Sequence, residues 1–379
     1  MDIKDVKEKS KEIFSFLNRR KVLIAITVIL FVLFVGMAAD IRTNNISTLK
    51  DVTTGEYLTA DLDAFYWLRI AEVLQENGSL PEYDAMRYPS LHLPFSNELL
   101  PAVLVLMHKT ASIFSTSITL QYIDVIYPVI FFILSMIVFF FLILKLTHSK
   151  LIALLSSFFL SIIPAYLFRT MAGVSDHEPL GMFAFFLVLL MFTFSMERIG
   201  KNVSWKEVAL LGVGTGFLTV FNIAAWSGVS AFTLLIIPLS VFLLWITNNK
   251  NNKKRFENYL IFYLLWIISF ILLGFVFDYP INNIIGLLLS FVGLITPLFL
   301  VFFVIDYILI KFGNFKLDKL GKYRIILSFA IAGILLFLGS LIFGQNIGFS
   351  LSNLISNIIR PFGGGRTGQQ YKKMHFHTQ

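Results

Sequence analysis

Residues 22–39, VLIAITVILFVLFVGMAA, run for eighteen positions without a charge or a proline. A helix of that length rises about 27 Å, close to the ~30 Å of hydrocarbon in a bilayer. Similar runs recur at roughly 125–146, 151–168, 180–196, 207–222, 228–247, 259–277, 284–310 and 325–343. Such a series predicts an all-α polytopic membrane protein of about nine transmembrane helices, with residues 22–343 forming the transmembrane domain. Only 14% of residues are charged, against about 25% in soluble domains. The chain has no cysteine, which excludes disulfides and thiolate metal sites. Its net charge of +8 does not imply nucleic acid, because basic residues of a membrane protein mark its cytoplasmic loops. Residues 1–21 are too long and too mixed in charge for the leading part of a signal peptide. We expect a cytoplasmic N-terminal segment followed by a retained helix.

Loop charges set the orientation. Arg19, Arg20 and Lys21 precede the first run and place the N-terminus inside. A long polar stretch, about 40–123, carries Asp51, Glu56, Asp61, Asp63, Glu72, Glu76, Glu82 and Asp84 and suits an outer loop. Within it, 98–114 is apolar but short and contains Pro101, as expected of an interfacial or packed helix. If it does not cross, the basic loops around Lys145 and Lys150, around Arg198, Lys201 and Lys206, at 250–255 and at 311–324 all fall inside. The connections at 169–179, 223–227 and 278–283 then lie outside, carrying one base, Arg169. This topology puts the acidic first outer loop and the second outer loop, about 169–179, on one face. The protein is expected in the cell membrane, with residues from 344 outside.

Two polar clusters stand out on that face. Asp61 and Asp63 precede an apolar-aromatic helical stretch; a helix cap and a ligand pair both account for them. Asp176, His177 and Glu178 occupy a short loop followed by Pro179. Carboxylates near hydrocarbon are costly without a function, and oxygen with imidazole nitrogen suits a divalent cation such as Mg²⁺ or Mn²⁺. Arg169 is either a snorkelling arginine or a partner for a lipid phosphate or a carboxylate. Asp306, inside the run 284–310 near its cytoplasmic end, is expected to be paired or snorkelling and is assigned no role. His92, His108 and His148 are isolated, which suits structural or solvated roles.

The stretches DLDAFYWLRIA (61–71), YPS (88–90), RTMAGVSDHE (169–178) and AAWSG (224–228) together resemble the catalytic subunit of oligosaccharyltransferase, archaeal and bacterial single-subunit enzymes included. The likeness extends in order and spacing along nearly the whole chain. It implies the GT-C-type membrane glycosyltransferase architecture and a catalytic divalent metal, Mn²⁺ or Mg²⁺, held by Asp63, Asp176 and Glu178. Asp61 remains a further first-loop candidate. Arg169 matches the family's arginine before T-M-x-G and becomes the candidate for the lipid phosphate. His177 falls on the motif's variable middle position. The implied reaction moves an oligosaccharide from a polyprenyl (dolichyl-type) phosphate or diphosphate carrier to asparagine in Asn-x-Ser/Thr, with inversion. The implied partners are the polyprenyl-linked donor, an acceptor polypeptide and the lipid bilayer, with no nucleic acid.

The sequence also departs from that family. The WWDYG peptide-binding motif and the C-terminal domain are missing, and NIIRPFGGGRTG (357–368) leads into QQYKKMHFHTQ rather than T-I/V-x-E. Another reading frame can spell a family-type loop there. Residues 344–379 are therefore expected to be the start of an outer loop with a frameshifted tail, and such a chain is expected to have little activity alone. Competing readings are a polyprenyl-phosphate-sugar transferase with another acceptor, a transporter and a structural membrane subunit. A transporter calls for ionisable groups inside its spans or paired broken helices, whereas these carboxylates collect at one surface. Asn45-Ile-Ser47 and Asn77-Gly-Ser79 are sequons in the first outer loop.

Overall fold

The computed structural model describes residues 20–81, 84, 86, 99–201, 203–247, 253–290, 292–312, 323–335 and 338. The cytoplasmic segment expected before residue 20, the YPS stretch and the tail from 344 lie outside the described residues. The described parts are helical, in the order α1 Arg20–Thr43, α2 Leu62–Asn77, α3 Leu100–Ser112, α4 Leu120–Thr147, α5 Lys150–Ile162, α6 Pro164–Phe168 and α7 His177–Gly200. There follow α8 Trp205–Ala225, α9 Ser227–Thr247, α10 Lys253–Leu272, α11 Ile281–Leu288, α12 Ile295–Phe312 and α13 Tyr323–Leu335. Among the described residues, six helices are long and apolar enough to cross a membrane: α1, α4, α7, α8, α9 and α10, the last with its 3₁₀ continuation to Phe277. α5 and α13 are shorter apolar helices.

Two expected spans are interrupted, one just before a proline and one at a turn. The run 151–168 stops at Ile162, because Ile163 takes an extended backbone (ψ 119°) before Pro164. Proline clashes with a helical residue in front of it and then suits the first position of the next helix, here α6. The run 284–310 divides into α11 and α12, with a turn between them in which Ser290 Oγ accepts from Gly293 N–H at 3.1 Å. Pro297 falls in the first turn of α12, where its missing N–H costs nothing. The segment 98–114 is the packed helix α3, thirteen residues long.

Caps mark several helix starts. Thr119 caps α4 by accepting from Tyr122 N–H at 3.2 Å, and Ser149 caps α5 by accepting from Ile152 N–H. Ser204 caps α8 by accepting from the N–H of Glu207 at 3.3 Å, in the Ser-x-x-Glu spacing of a capping box.

The chain forms two compact units, Met1–Thr233 with Leu265–Pro280, and Leu234–Leu264 with Ile281–Gln379. In the first, α4 packs on α7 and α5, and α7 packs on α8. The helices α2 and α3 pack on each other and on α4. Their shared core holds Trp67, Leu68, Ile70, Leu100, Leu104, Tyr127, Leu180 and Ala184. For α2 and α3, which are not among the helices long and apolar enough to cross a membrane, burying such a side chain from water is worth about 1.5–3 kcal/mol each. That core holds the first turn of α2 beside the first turn of α7. At the end of α1, the buried Arg42 donates from Nε to Thr170 Oγ1 (2.8 Å) and from Nη2 to Ser161 C=O (3.0 Å). Its own carbonyl accepts from Ala172 N–H at 2.9 Å. The end of α1 thereby fixes the loop that follows α6.

In the second unit, the buried carboxylate of Asp306 accepts from Trp245 Nε1 (2.8 Å), Arg324 Nε (2.8 Å) and Ser328 Oγ (3.0 Å). The lone acid of α12 is thus paired, as expected of an ionisable group at membrane depth. In the same unit Phe302 stacks on Phe329, and Phe242 meets both rings edge-on.

Candidate functional site

The second outer loop begins where α6 ends and closes where Asp176 caps α7. Gly173 makes the bend, with φ at +85°, a region open to glycine at little steric cost. Its N–H donates to Val125 C=O (2.9 Å), and its carbonyl accepts from Ala60 N–H (2.8 Å). The second bond joins the two outer loops one residue before Asp61. A side chain at 173 would meet Ala60 Cβ and Ala60 N at 3.2 Å, so the close approach itself requires glycine.

Asp176 is almost fully buried. Its Oδ1 accepts from its neighbour's backbone N–H at 2.7 Å and from Trp67 Nε1 at 3.0 Å, and lies 2.8 Å from His177 Nδ1. Burial opposes its ionisation. The side-chain hydrogen bond and positive charge of His177, its backbone N–H and the Trp67 indole outweigh burial and hold the carboxyl below the usual carboxylate range. One turn of α4 along, the buried Tyr127 hydroxyl donates to Asp176 C=O (3.1 Å) and accepts from Leu180 N–H (3.2 Å). The start of α7 is thus held from α2 and α4 at once.

Arg169 reaches into this cluster. Its Nη1 lies 3.3 Å from Glu178 Oε1, 3.7 Å from Asp176 Oδ2 and 3.8 Å from Asp61 Oδ2. The arginine side chain is 42% exposed, so these contacts leave a face open to solvent. Asp61 precedes α2 but makes no side-chain cap bond; its carboxylate faces Arg169 instead. Asp63 stands exposed in the first turn of α2.

Among the described residues, Asp176, His177 and Glu178 form the group that could hold a metal ion, with ligand atoms within 4.8 Å of one another. The structure therefore gathers Asp61, Arg169, Asp176 and Glu178. It sets His177 among the metal-capable atoms and leaves Asp63 outside that group. The donors suit a hard or borderline divalent cation. Glu178 Oε2 is buried without a hydrogen-bond partner, and a buried carboxylate oxygen left without a donor is costly. A cation there would satisfy it, so the residues present fit one.

Trp67, Tyr127 and Gly173 hold the site although the sequence reading gave them no role. Trp67 and Gly173 lie in stretches singled out above, but an indole N–H and a positive φ leave no mark in residue spacing. Tyr127 looks like any aromatic residue in an apolar run. Trp226 of AAWSG follows α8, its ring centre 5.2 Å from that of His177. A side chain at Gly181 would strike Trp226 Cβ at 2.5 Å. Leu99 N–H also donates to Ala224 C=O at 3.1 Å, joining the start of α3 to the end of α8.

Residues 25–348 match the family described as Oligosaccharyl transferase STT3, N-terminal. Over 224 residues the chain is 28% identical to dolichyl-phosphooligosaccharide-protein glycotransferase 1 of Archaeoglobus fulgidus, a stretch covering 57% of this chain and 32% of that protein. Among solved structures, it resembles the apo oligosaccharyltransferase of Archaeoglobus fulgidus (TM-score 0.64, 17% identity, 90% of this chain and 40% of that one). It also resembles the archaeal oligosaccharyltransferase AglB from Archaeoglobus fulgidus in complex with an inhibitory peptide and a dolichol-phosphate (TM-score 0.66, 18% identity, 89% and 39% covered). A third likeness is the Archaeoglobus fulgidus oligosaccharyltransferase in complex with Zn and sulfate (TM-score 0.61, 18% identity, 86% and 40% covered). These identities establish the fold. The chain spans a third to two fifths of the length of these relatives.

Proposed function

Because the chain belongs to the oligosaccharyl transferase STT3 family, we propose that it serves protein N-glycosylation. The reaction moves an oligosaccharide from a polyprenyl (dolichyl-type) phosphate or diphosphate to the asparagine of an Asn-x-Ser/Thr acceptor. The site faces the exterior of the cell membrane and the N-terminus faces the cytoplasm, in keeping with the loop charges. Asp63, Asp176 and Glu178 hold a divalent metal, Mn²⁺ or Mg²⁺. The observation that carries this reading is the bond between Ala60 and Gly173, which sets the acidic start of α2 against the acidic start of α7. Dolichol-phosphate bound to a relative of the same fold supports a lipid-carried donor.

An amide nitrogen is a poor nucleophile, and carboxylates that accept its N–H groups raise its reactivity. Asp63, exposed on the first turn of α2, can meet a substrate amide there. The nitrogen forms a bond to the anomeric carbon as the carbon–oxygen bond to the carrier phosphate breaks. The amide proton passes to a carboxylate, and attack opposite the leaving group inverts the centre. Arg169 meets the carrier phosphate with the face it leaves open. A divalent cation, when bound, orients the carboxylates and neutralises charge on the departing phosphate.

Mn²⁺ binding followed by electron paramagnetic resonance tests the site. Asp176→Asn and Glu178→Gln are each expected to weaken it at least tenfold, and wild-type affinity in both would overturn the assignment. Supplying labelled lipid-linked oligosaccharide with either a sequon peptide or a lipid acceptor tests the reaction. Label in the lipid but not in the peptide would assign the chain to another polyprenyl-phosphate-sugar transferase.

A further inference from the structure

At the end of α4 and α7 opposite the carboxylate cluster, these helices and α8 enclose an apolar groove of about 610 Å³. Its walls include Phe141 and Leu144 from α4, Leu187 and Met191 from α7, and Leu218 from α8. The volume falls in the range of ligand pockets. The walls belong to three membrane-crossing helices, so the groove opens toward hydrocarbon. Along α7 it extends from Phe194 back to Leu187, about 10 Å at the helical rise, from the helix end toward mid-membrane.

The rim at the helix end is basic. Lys145 and His148 line it. Lys145 pairs with Glu197 and lies 5.3 Å over the Phe194 ring. His148 ends α4 in the left-handed conformation, with φ at +54°, an uncommon one for a residue with a side chain. Nearby stand Lys150, Arg198, Lys201 and Lys206 against the acids Glu197 and Glu207, which pair with Lys145, Lys201 and Arg198. Cations outnumber acids at this end.

We propose that the groove is a binding site for an anionic membrane phospholipid, with one chain between α4, α7 and α8 and the phosphate headgroup at Lys145 and His148. An apolar trench explains a chain, and the surplus of cations at its mouth selects a negative headgroup over a zwitterionic one. The site lies in the leaflet opposite the carboxylate cluster and is independent of the transfer reaction.

The test uses the whole chain in phosphatidylcholine vesicles containing a trace of phosphatidylglycerol with a photoreactive group on one chain. Crosslinked peptides are identified by mass spectrometry. Labels are expected within 141–148 and 187–194, displaced by excess phosphatidylglycerol and not by phosphatidylcholine. Leu190→Trp, which fills the groove, is expected to remove at least nine tenths of that labelling. Lys145→Met is expected to weaken competition about fivefold, the worth of one lysine at a membrane surface. Both variants should bind Mn²⁺ as the wild type does, which reports that they fold. Equal displacement by phosphatidylcholine, labelling that survives Leu190→Trp, or stronger displacement by a polyprenyl phosphate would each overturn the proposal.

Discussion

Replacing Gly173 with alanine should damage the site without touching any of its charged groups. The residue holds φ at +85°, and a side chain in the left-handed region costs about 1–2 kcal/mol. The new Cβ would fall 2.7 Å from Leu49 Cδ1 and 3.2 Å from Ala60 Cβ and Ala60 N. The leucine tip can rotate away. The Ala60 backbone can withdraw only by stretching its 2.8 Å bond to Gly173 C=O, and such a bond contributes about 0.5–1.5 kcal/mol. Together the two effects cost about 1.5–3.5 kcal/mol at the junction of the two loops. If half of that is felt as displacement of the α2 start from the α7 start, Mn²⁺ affinity falls roughly tenfold, since about 1.4 kcal/mol is one decade. The assay is an Mn²⁺ titration in detergent beside a thermal melt. Gly55→Ala is the control, because Gly55 shares the positive φ (+75°) but has nothing within 4 Å of an added Cβ. It should cost stability and leave metal affinity alone. Wild-type affinity in Gly173→Ala, or an equal loss in Gly55→Ala, would refute the reasoning.

Other perturbations have equally definite outcomes. Arg324→Met leaves the buried Asp306 carboxylate without its cation and should destabilise the protein by about 3–5 kcal/mol; adding Asp306→Asn should recover much of this in the same melts. Trp67→Phe removes an N–H from the ionised Asp176 and should cost about 1.5–3 kcal/mol at neutral pH. Because the Asp176 carboxyl is held below its ordinary range, its contribution is complete above that range and lost as pH falls through the depressed value. The gap between wild type and Trp67→Phe should therefore close in strong acid, as read by unfolding across a pH series. Saturating Mn²⁺, at a hundredfold over its dissociation constant, should stabilise the wild type by about 2.7 kcal/mol. It should not stabilise the Asp176→Asn, Glu178→Gln double variant, which differential scanning calorimetry with and without EDTA will register.

Apolar length and loop charge made the helical membrane class and the packed 98–114 helix legible, since both follow from residue type alone. The interruption at 163 was carried by Pro164 and the turn near 290 by Ser290 and Gly293, but apolar character on both sides masked them. α1 runs to Thr43, past the end of its uncharged run, so Arg42, inside the stretch expected to be loop, is instead a buried clamp. Of the two first-loop acids, spacing could not say which meets the second loop. The Ala60–Gly173 bond brings Asp61 to Arg169 and leaves Asp63 open. His177 was set aside for its place in a motif. Its position beside Asp176 depends on how the helix begins, which only three-dimensional packing fixes.

The Ala60–Gly173 bond also bears on how the protein comes into being. Its partners are more than a hundred residues apart, and a ribosome adding ~5–20 residues per second needs on the order of ten seconds to make that stretch. Until then the first loop is already made, with Asp61 awaiting Arg169. The α2 and α3 pair can bury much of its own apolar surface at once. The contact of Asp61 with Arg169 and the rim of α7 therefore assembles only after α4 and α5 have been made.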